Sequence, residues 1–97
     1  MTELEFSAIP YRNPAYTYRD GFLVHVERRA DAVFVNPTAA MVWGLCDGQT
    51  SIEDIIADLR TAYPENSHAV PEDVLSALRK LIVYGIVAVE KAGITKA

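Results

Sequence analysis

The side chains best suited to nucleophilic or metal chemistry are those of Cys46, His25 and His68. A cysteine nucleophile works with a nearby histidine base, and a zinc site needs several cysteine or histidine ligands at short spacing. The three residues are far apart along the chain, and Cys46 is the only cysteine. The sequence therefore predicts neither a catalytic thiol nor a metal site. We interpret Cys46 as a small buried apolar residue and His25 as a residue on the surface of a strand.

Acidic side chains are frequent in the middle of the chain, where a pair of carboxylates could supply acid-base catalysis. The residues are Asp47, Glu53, Asp54 and Asp58. Their positions near predicted helix starts favour roles in capping, in helix-dipole contacts and in solubility. No glycine-rich loop with the spacing of a phosphate-binding motif accompanies them. We therefore expect no enzyme activity and no bound cofactor.

Length and charge limit the kinds of protein that this chain can be. Its 97 residues, of which 51% are hydrophobic, suffice for one domain with one core. The net charge of -4 disfavours binding to nucleic acid or to an anionic membrane surface. No apolar run reaches the roughly 20 residues that span a bilayer, and the N-terminal residues do not have the pattern of a signal peptide. Together with the single cysteine, these features predict a cytoplasmic protein.

Three β-strands are predicted in the first part of the chain, because aromatic and β-branched residues are concentrated there. The predicted strands cover residues 15–18, 22–27 and 32–35. The Asp20-Gly21 pair indicates a tight hairpin turn between the first two strands. In the second strand, the alternation of side chains predicts that Phe22, Val24 and Val26 face the core.

Three helices follow, each with residues that typically begin or end a helix. The predicted helices cover residues 37–46, 52–63 and 71–85. Asn36 and Ser51 are suited to cap the first two helices, and Pro64 ends the second. Gly85 ends the third helix. Between the helices we predict a loop over residues 65–70, and after them a short strand or extended segment over residues 86–90.

This order of elements predicts an α+β fold, with a three-stranded antiparallel sheet followed by three helices. A winged helix-turn-helix has this composition. We predict an irregular N-terminal arm over residues 1–14, a domain over residues 15–90 and a C-terminal tail over residues 91–97. Many winged helices read DNA, so a small DNA-binding transcription regulator is the alternative function. The third predicted helix disfavours it, because Glu72 and Asp73 offset the charges of Arg79 and Lys80.

A specific pattern of residues extends from Gly21 to Val87. Its two main segments are VNPTAAMVWGLCDGQTSIEDIIADLRTAYP and EDVLSALRKLIVYGIV. The matching positions are Asn36, Ala39, Ala40, Trp43, Asp47, Gly48, Ile52, Ile55, Leu59, Tyr63, Asp73, Val74, Leu78, Leu81 and Gly85. In this order and spacing they resemble the PqqD-like family, peptide-binding proteins named after the pyrroloquinoline quinone pathway.

The resemblance implies a non-catalytic module that recognises the leader of a ribosomally synthesised precursor peptide. The module then delivers that peptide to a separate modifying enzyme, such as a radical SAM enzyme. In the family, the leader adds as a strand to the third strand of the sheet, beside the third helix. The resemblance therefore implies a peptide-docking strand formed by Asp31, Ala32, Val33, Phe34 and Val35.

The same resemblance implies that the third helix forms the wall of the binding groove. The implied wall residues are Asp73, Val74, Ala77, Leu78 and Leu81. Arg79 and Lys80 are expected to pair with acidic leader residues if they point toward the groove. Val74, Leu78 and Leu81 also have the spacing of ordinary core residues, so both interpretations stay open for them. An exposed third strand could also pair with a second copy of the chain, and a homodimer is therefore a further possibility.

Overall fold

The computed structural model describes residues 4–28 and 30–90, so the predicted C-terminal tail over residues 91–97 lies outside the described residues. The elements in chain order are β1 (Ile9–Arg12), β2 (Tyr16–Arg19), β3 (Phe22–His25), β4 (Ala32–Phe34), α1 (Pro37–Leu45), α2 (Ile52–Ala62), a 3-10 helix (Pro64–Ala69), α3 (Val70–Val83) and β5 (Val87–Glu90). The predicted α+β class with three α-helices is confirmed, but four strands precede these helices where three were predicted.

The predicted three-stranded sheet is antiparallel, with the strand order β2-β3-β4. Its first turn is built by Asp20 and Gly21, whose φ angles of 50° and 88° are both positive. Two positive φ angles give a tight turn the twist that suits a hairpin, and glycine adopts them without steric cost. The Asp20-Gly21 hairpin predicted from the sequence is therefore confirmed.

The prediction for the two faces of β3 is wrong. Leu23 is fully buried and His25 is 8% exposed, whereas Phe22 and Val26 are 41% and 48% exposed. Alternation could not distinguish the faces, because apolar residues occupy both of them over Phe22 to Val24. On the outer face, Phe22 instead meets Phe34 edge to face across the strand pair, with ring centroids 5.7 Å apart.

A second antiparallel sheet joins the N-terminal region to the end of the chain. β1 pairs with β5, with Ile9 opposite Glu90 and Arg12 opposite Val87. On its other edge, β1 bonds to the turn after α1, where the Gly48 N–H donates to the Pro10 carbonyl at 3.0 Å. The prediction of an irregular arm is therefore wrong over Ile9–Arg12. The predicted short strand near the end of the chain is confirmed over Val87–Glu90.

The first two helices begin at the predicted caps. The Asn36 side chain accepts the Ala39 N–H at 2.8 Å, and the Ser51 hydroxyl accepts the Asp54 N–H at 3.1 Å. One difference concerns residues 65–70, predicted as a loop: the 3-10 helix over Pro64–Ala69 occupies most of this segment and leads directly into α3. A proline at its first position loses no hydrogen bond, because the first N–H groups of a helix have no partner within the helix.

The core lies between the three helices and the inner faces of the two sheets. Its largest fully buried apolar residues are Leu23, Val42, Ile52, Ile55, Val74, Leu78, Leu81 and Ile86. The structure has two sheets where the sequence predicted one, and the winged helix-turn-helix arrangement stays a prediction. Across residues 4–28 and 30–90, no helix combines the length and the apolar character needed to span a membrane.

Candidate functional site

The Cys46 thiol is buried and is held by the helix that precedes it. The residue is fully inaccessible to solvent, and its Sγ donates a hydrogen bond to the Val42 carbonyl at 3.1 Å. Burial raises the pKa of Cys46 to about 12, because a thiolate loses its hydration in an apolar environment. The neutral thiol is a poor nucleophile. The interpretation of Cys46 as a small buried apolar residue is confirmed.

His25 is a buried structural residue, so its interpretation as a strand-surface residue is wrong. Its Nδ1 accepts two backbone N–H bonds, from Glu27 at 3.1 Å and from Arg28 at 3.0 Å. These bonds stabilise the turn between β3 and β4 and occupy the nitrogen that would otherwise act as a base or a ligand. Within the described ranges, no group of three or more histidine, cysteine, aspartate or glutamate residues could hold a metal ion.

The open backbone edge of β4 is the first component of the candidate site. Among the described residues, β4 pairs with β3 alone and stands at the end of the strand order. The Val35 N–H donates to the Gly21 carbonyl, and the His25 N–H donates to the Asp31 carbonyl. Because bonding direction alternates along a strand, residues 31, 33 and 35 direct their backbone groups toward β3. Ala32 and Phe34 therefore direct theirs outward, toward the open edge.

Lys80 on α3 contacts this edge directly. Its Nζ donates a hydrogen bond to the Phe34 carbonyl at 2.9 Å, and we call this bond the Lys80–Phe34 contact. Phe34 is 58% exposed, with its ring on the outer face of the sheet. The Lys80–Phe34 contact links the predicted docking strand to the predicted helical wall, so the structure brings these two parts of the site together.

A polar cavity of about 270 Å³ adjoins the Lys80–Phe34 contact. Its lining residues are Asn36, Thr38, Ala39, Asp73, Ser76, Ala77 and Lys80. Asp73, Ala77 and Lys80 are spaced four and three residues apart, which places them on one face of α3. Ala77 lies between the two charged residues, and its small side chain leaves the space open.

A second cavity, of about 240 Å³, lies beyond Asp73 and shares Thr38 and Asp73 with the first. The remaining lining residues are Pro37, Leu59, Tyr63, Asn66, Val70 and Val74, most of which are apolar. We call the two cavities together the α1–α3 groove. It continues from the open edge of β4 along α3 and changes from polar to apolar.

The other predicted site residues occupy three kinds of position. Leu78 and Leu81 are fully buried and hold α3 against the core. Val35, directly after β4, is buried as well. Arg79 is exposed beside Lys80. Asp31 is exposed in the turn before β4, where its Oδ2 accepts from the Arg28 Nε at 2.7 Å. Leu78 and Leu81 therefore present no surface to a partner in this structure.

Sequence reasoning did not identify several residues that line the groove. Thr38 and Ser76 belong to this group, and Asn36 was predicted as a helix cap and a position of the family pattern but not as a lining residue. Ser76 lies three residues after Asp73 and four before Lys80, so the helical period could have identified it. Thr38 had no such signal, because its place beside α3 depends on how α1 packs against that helix.

The segment that forms this site is also the segment in which the chain is similar to known proteins. A family model described as coenzyme PQQ synthesis protein D (PqqD) matches residues 21–87. These residues include β3, β4 and all three α-helices. No curated protein and no solved structure matches the chain. Because the family match covers most of the chain, including the open edge and the α1–α3 groove, this protein belongs to the PqqD family.

Proposed function

We propose that this protein binds the leader of a ribosomally synthesised precursor peptide and delivers the peptide to a separate modifying enzyme, such as a radical SAM enzyme. The leader adds to the sheet as a strand on β4 and lies beside α3. Membership of the PqqD family supports a precursor-peptide-binding role. The winged helix-turn-helix arrangement, a peptide-binding domain over residues 15–90 and the cytoplasmic location form part of this proposal.

The observation that carries the proposal is the open edge of β4 next to the α1–α3 groove. Strand addition satisfies backbone groups of the edge strand and of the peptide, and this pairing gives affinity for many sequences. Side chains alternate along a strand, so every second leader residue would point toward α3. The polar and apolar cavities of the groove then supply the selectivity.

The buried groups favour an accessory role over catalysis. The single cysteine, Cys46, is held neutral in the core, and the His25 Nδ1 is engaged by two backbone N–H groups. The PqqD family description names a protein of coenzyme synthesis, in keeping with such a role. In this proposal the modifying enzyme performs the chemistry, and this protein contributes a bound and extended substrate.

The test is calorimetric titration with leader segments from the precursor peptides encoded beside the gene, with a DNA duplex as the negative control. Ala32→Pro removes an N–H that faces the open edge and spares the bonds to β3. Proline at Val33, the more obvious position, would instead remove a bond between β3 and β4. Ala32→Val is the matched control, because it keeps the N–H and increases only the side chain.

We expect saturable binding of a leader segment, a loss of at least tenfold in affinity for Ala32→Pro, and little change for Ala32→Val. Circular dichroism and thermal unfolding verify that both variants fold. Unchanged affinity in a folded Ala32→Pro variant would exclude strand addition at β4. Tight DNA binding would favour the transcription regulator, and sedimentation showing a stable dimer through β4 would favour the self-pairing module.

A further inference from the structure

The Lys80–Phe34 contact occupies a backbone acceptor that strand addition needs. The Phe34 carbonyl faces outward, and an incoming strand would place its own N–H donor at about 2.9 Å from this oxygen. In the free protein, the Lys80 ammonium already donates to this oxygen at 2.9 Å. The lysine therefore already donates to the oxygen that the peptide backbone would use.

We propose that Lys80 covers the open edge of the free protein, that the incoming strand displaces it, and that the released ammonium then selects a leader with a carboxylate facing α3. This inference rests on the proposed function, because it assigns a selectivity to the same site. The bound state then gains a backbone bond at the Phe34 carbonyl and an ion pair at Lys80.

The charges around Lys80 explain why the peptide would have to supply the carboxylate. Within the described ranges, the ion pair formed at 4.0 Å or less is that of Arg28 and Asp31, so none of the carboxylates described there pairs with Lys80. Asp73, the acidic residue of the groove, lies seven residues earlier on α3, which is roughly 10 Å along the helix axis. An ammonium displaced from the Phe34 carbonyl would exchange a charge-assisted hydrogen bond within the protein for hydration by water. A glutamate or aspartate of the leader supplies a new charge-assisted partner in its place.

The same contact explains how the free protein keeps an unpaired strand in solution. An open edge with exposed apolar side chains tends to pair with other chains, and lysine is a common means of preventing this. β4 carries the exposed Phe34 ring, so the risk applies here. A removable lysine prevents unwanted pairing without closing the site to its peptide.

The experiment compares leader segments that differ in one charge. In the tightest-binding segment, each Asp is changed in turn to Asn and each Glu to Gln, and affinities are measured for the wild-type protein and for Lys80→Met. Methionine keeps most of the aliphatic stem and removes the ammonium. Arg60→Met is the matched control, because it removes an exposed positive charge on α2, away from β4.

We expect one acidic position of the leader to bind the wild type about fivefold better than its amide, the upper range for a partly exposed ion pair. In Lys80→Met this ratio falls to about one, and the amide peptide binds at least as well as it does to the wild type, because nothing covers the edge. Arg60→Met keeps the fivefold ratio.

Two results would overturn the inference. One is an acid-to-amide ratio that stays the same in Lys80→Met, and the other is a tight-binding leader in which no acidic residue matters. Failure of the proposed function has a different signature, since no leader segment would then bind, or Ala32→Pro would bind as well as the wild type. The two failures are thus distinguishable.

Discussion

The Tyr16 ring and the His25 imidazole meet edge to face across β2 and β3, with their centroids 5.2 Å apart. The contact leaves the His25 Nδ1 free to accept the N–H groups of Glu27 and Arg28. We predict that His25→Phe keeps the ring contact, removes the acceptor and lowers the free energy of unfolding by about 1 kcal/mol. Urea unfolding measures the loss, and amide hydrogen exchange at residues 27 and 28 should become faster.

The matched control for this change is His68→Phe, at an exposed position on the 3-10 helix. Its stability should stay within about 0.5 kcal/mol of the wild type. Equal losses in the two variants would show that the imidazole acceptor has no special role in the β3–β4 turn.

Cys46 should resist alkylation as long as the protein is folded. Because the pKa of the thiol is raised to about 12, about one molecule in ten thousand carries a thiolate at pH 8. We predict that iodoacetamide modifies Cys46 at least a hundredfold more slowly in the native protein than in urea, as measured by mass spectrometry. Similar rates in both conditions would contradict the burial of this thiol.

Asp47 should give the turn between α1 and α2 a stability that depends on pH. Hydrogen bonds from the Gln49 N–H, from the Thr50 side chain and from the Thr50 N–H lower the pKa of this carboxylate. Because the pKa is lower in the folded than in the unfolded protein, the ionised carboxylate stabilises the folded state at pH values above the usual aspartate pKa. This stabilisation is lost as the pH falls through the pKa of the folded protein. We therefore expect Asp47→Asn to lower the urea midpoint at pH 6 and to differ less from the wild type at pH 3. An equal difference at both values would refute this role.

Arg12 should stabilise the C-terminal end of α1. Its guanidinium donates to the Gly44 carbonyl at 2.7 Å and lies 5.5 Å from the centre of the Trp43 ring. A positive charge at this end of a helix is favourable, and so is one over an indole face. We predict that Arg12→Met costs about 1 kcal/mol in urea unfolding. The exposed Arg19→Met on β2 is the control, and an equal cost there would argue against a specific contact at α1.

The sequence predicted those elements whose signals are local. Asn36, Ser51 and the Asp20-Gly21 turn were identified because caps and tight turns depend on a few adjacent residues. β1 had no such signal, since Pro10 interrupts its pattern and its partner Val89 is distant in the chain. The buried face of β3 also escaped prediction, because it depends on which side the helices cover.

The candidate site, like the fold, was predictable from the sequence only in part. The edge character of β4 and the presence of α3 beside it followed from the resemblance and the order of elements. The hydrogen bond from Lys80 to the Phe34 carbonyl did not, because it depends on the distance between a helix and a strand 46 positions apart. The complete burial of Leu78 and Leu81 was one of two open interpretations, and packing decided it.

The pairing of β1 with β5 brings the first and the last strand of the structure side by side. Ile9 lies opposite Glu90, so the first and last residues of this two-stranded sheet are neighbours in space. This sheet is separate from the β2-β3-β4 sheet that carries the open edge. Neighbouring ends of this kind make domain insertion and fusion tolerable. A second domain joined covalently before Ile9 or after Glu90 would therefore attach to the β1–β5 sheet and not to the sheet that contains β4, and the open edge of β4 would stay accessible.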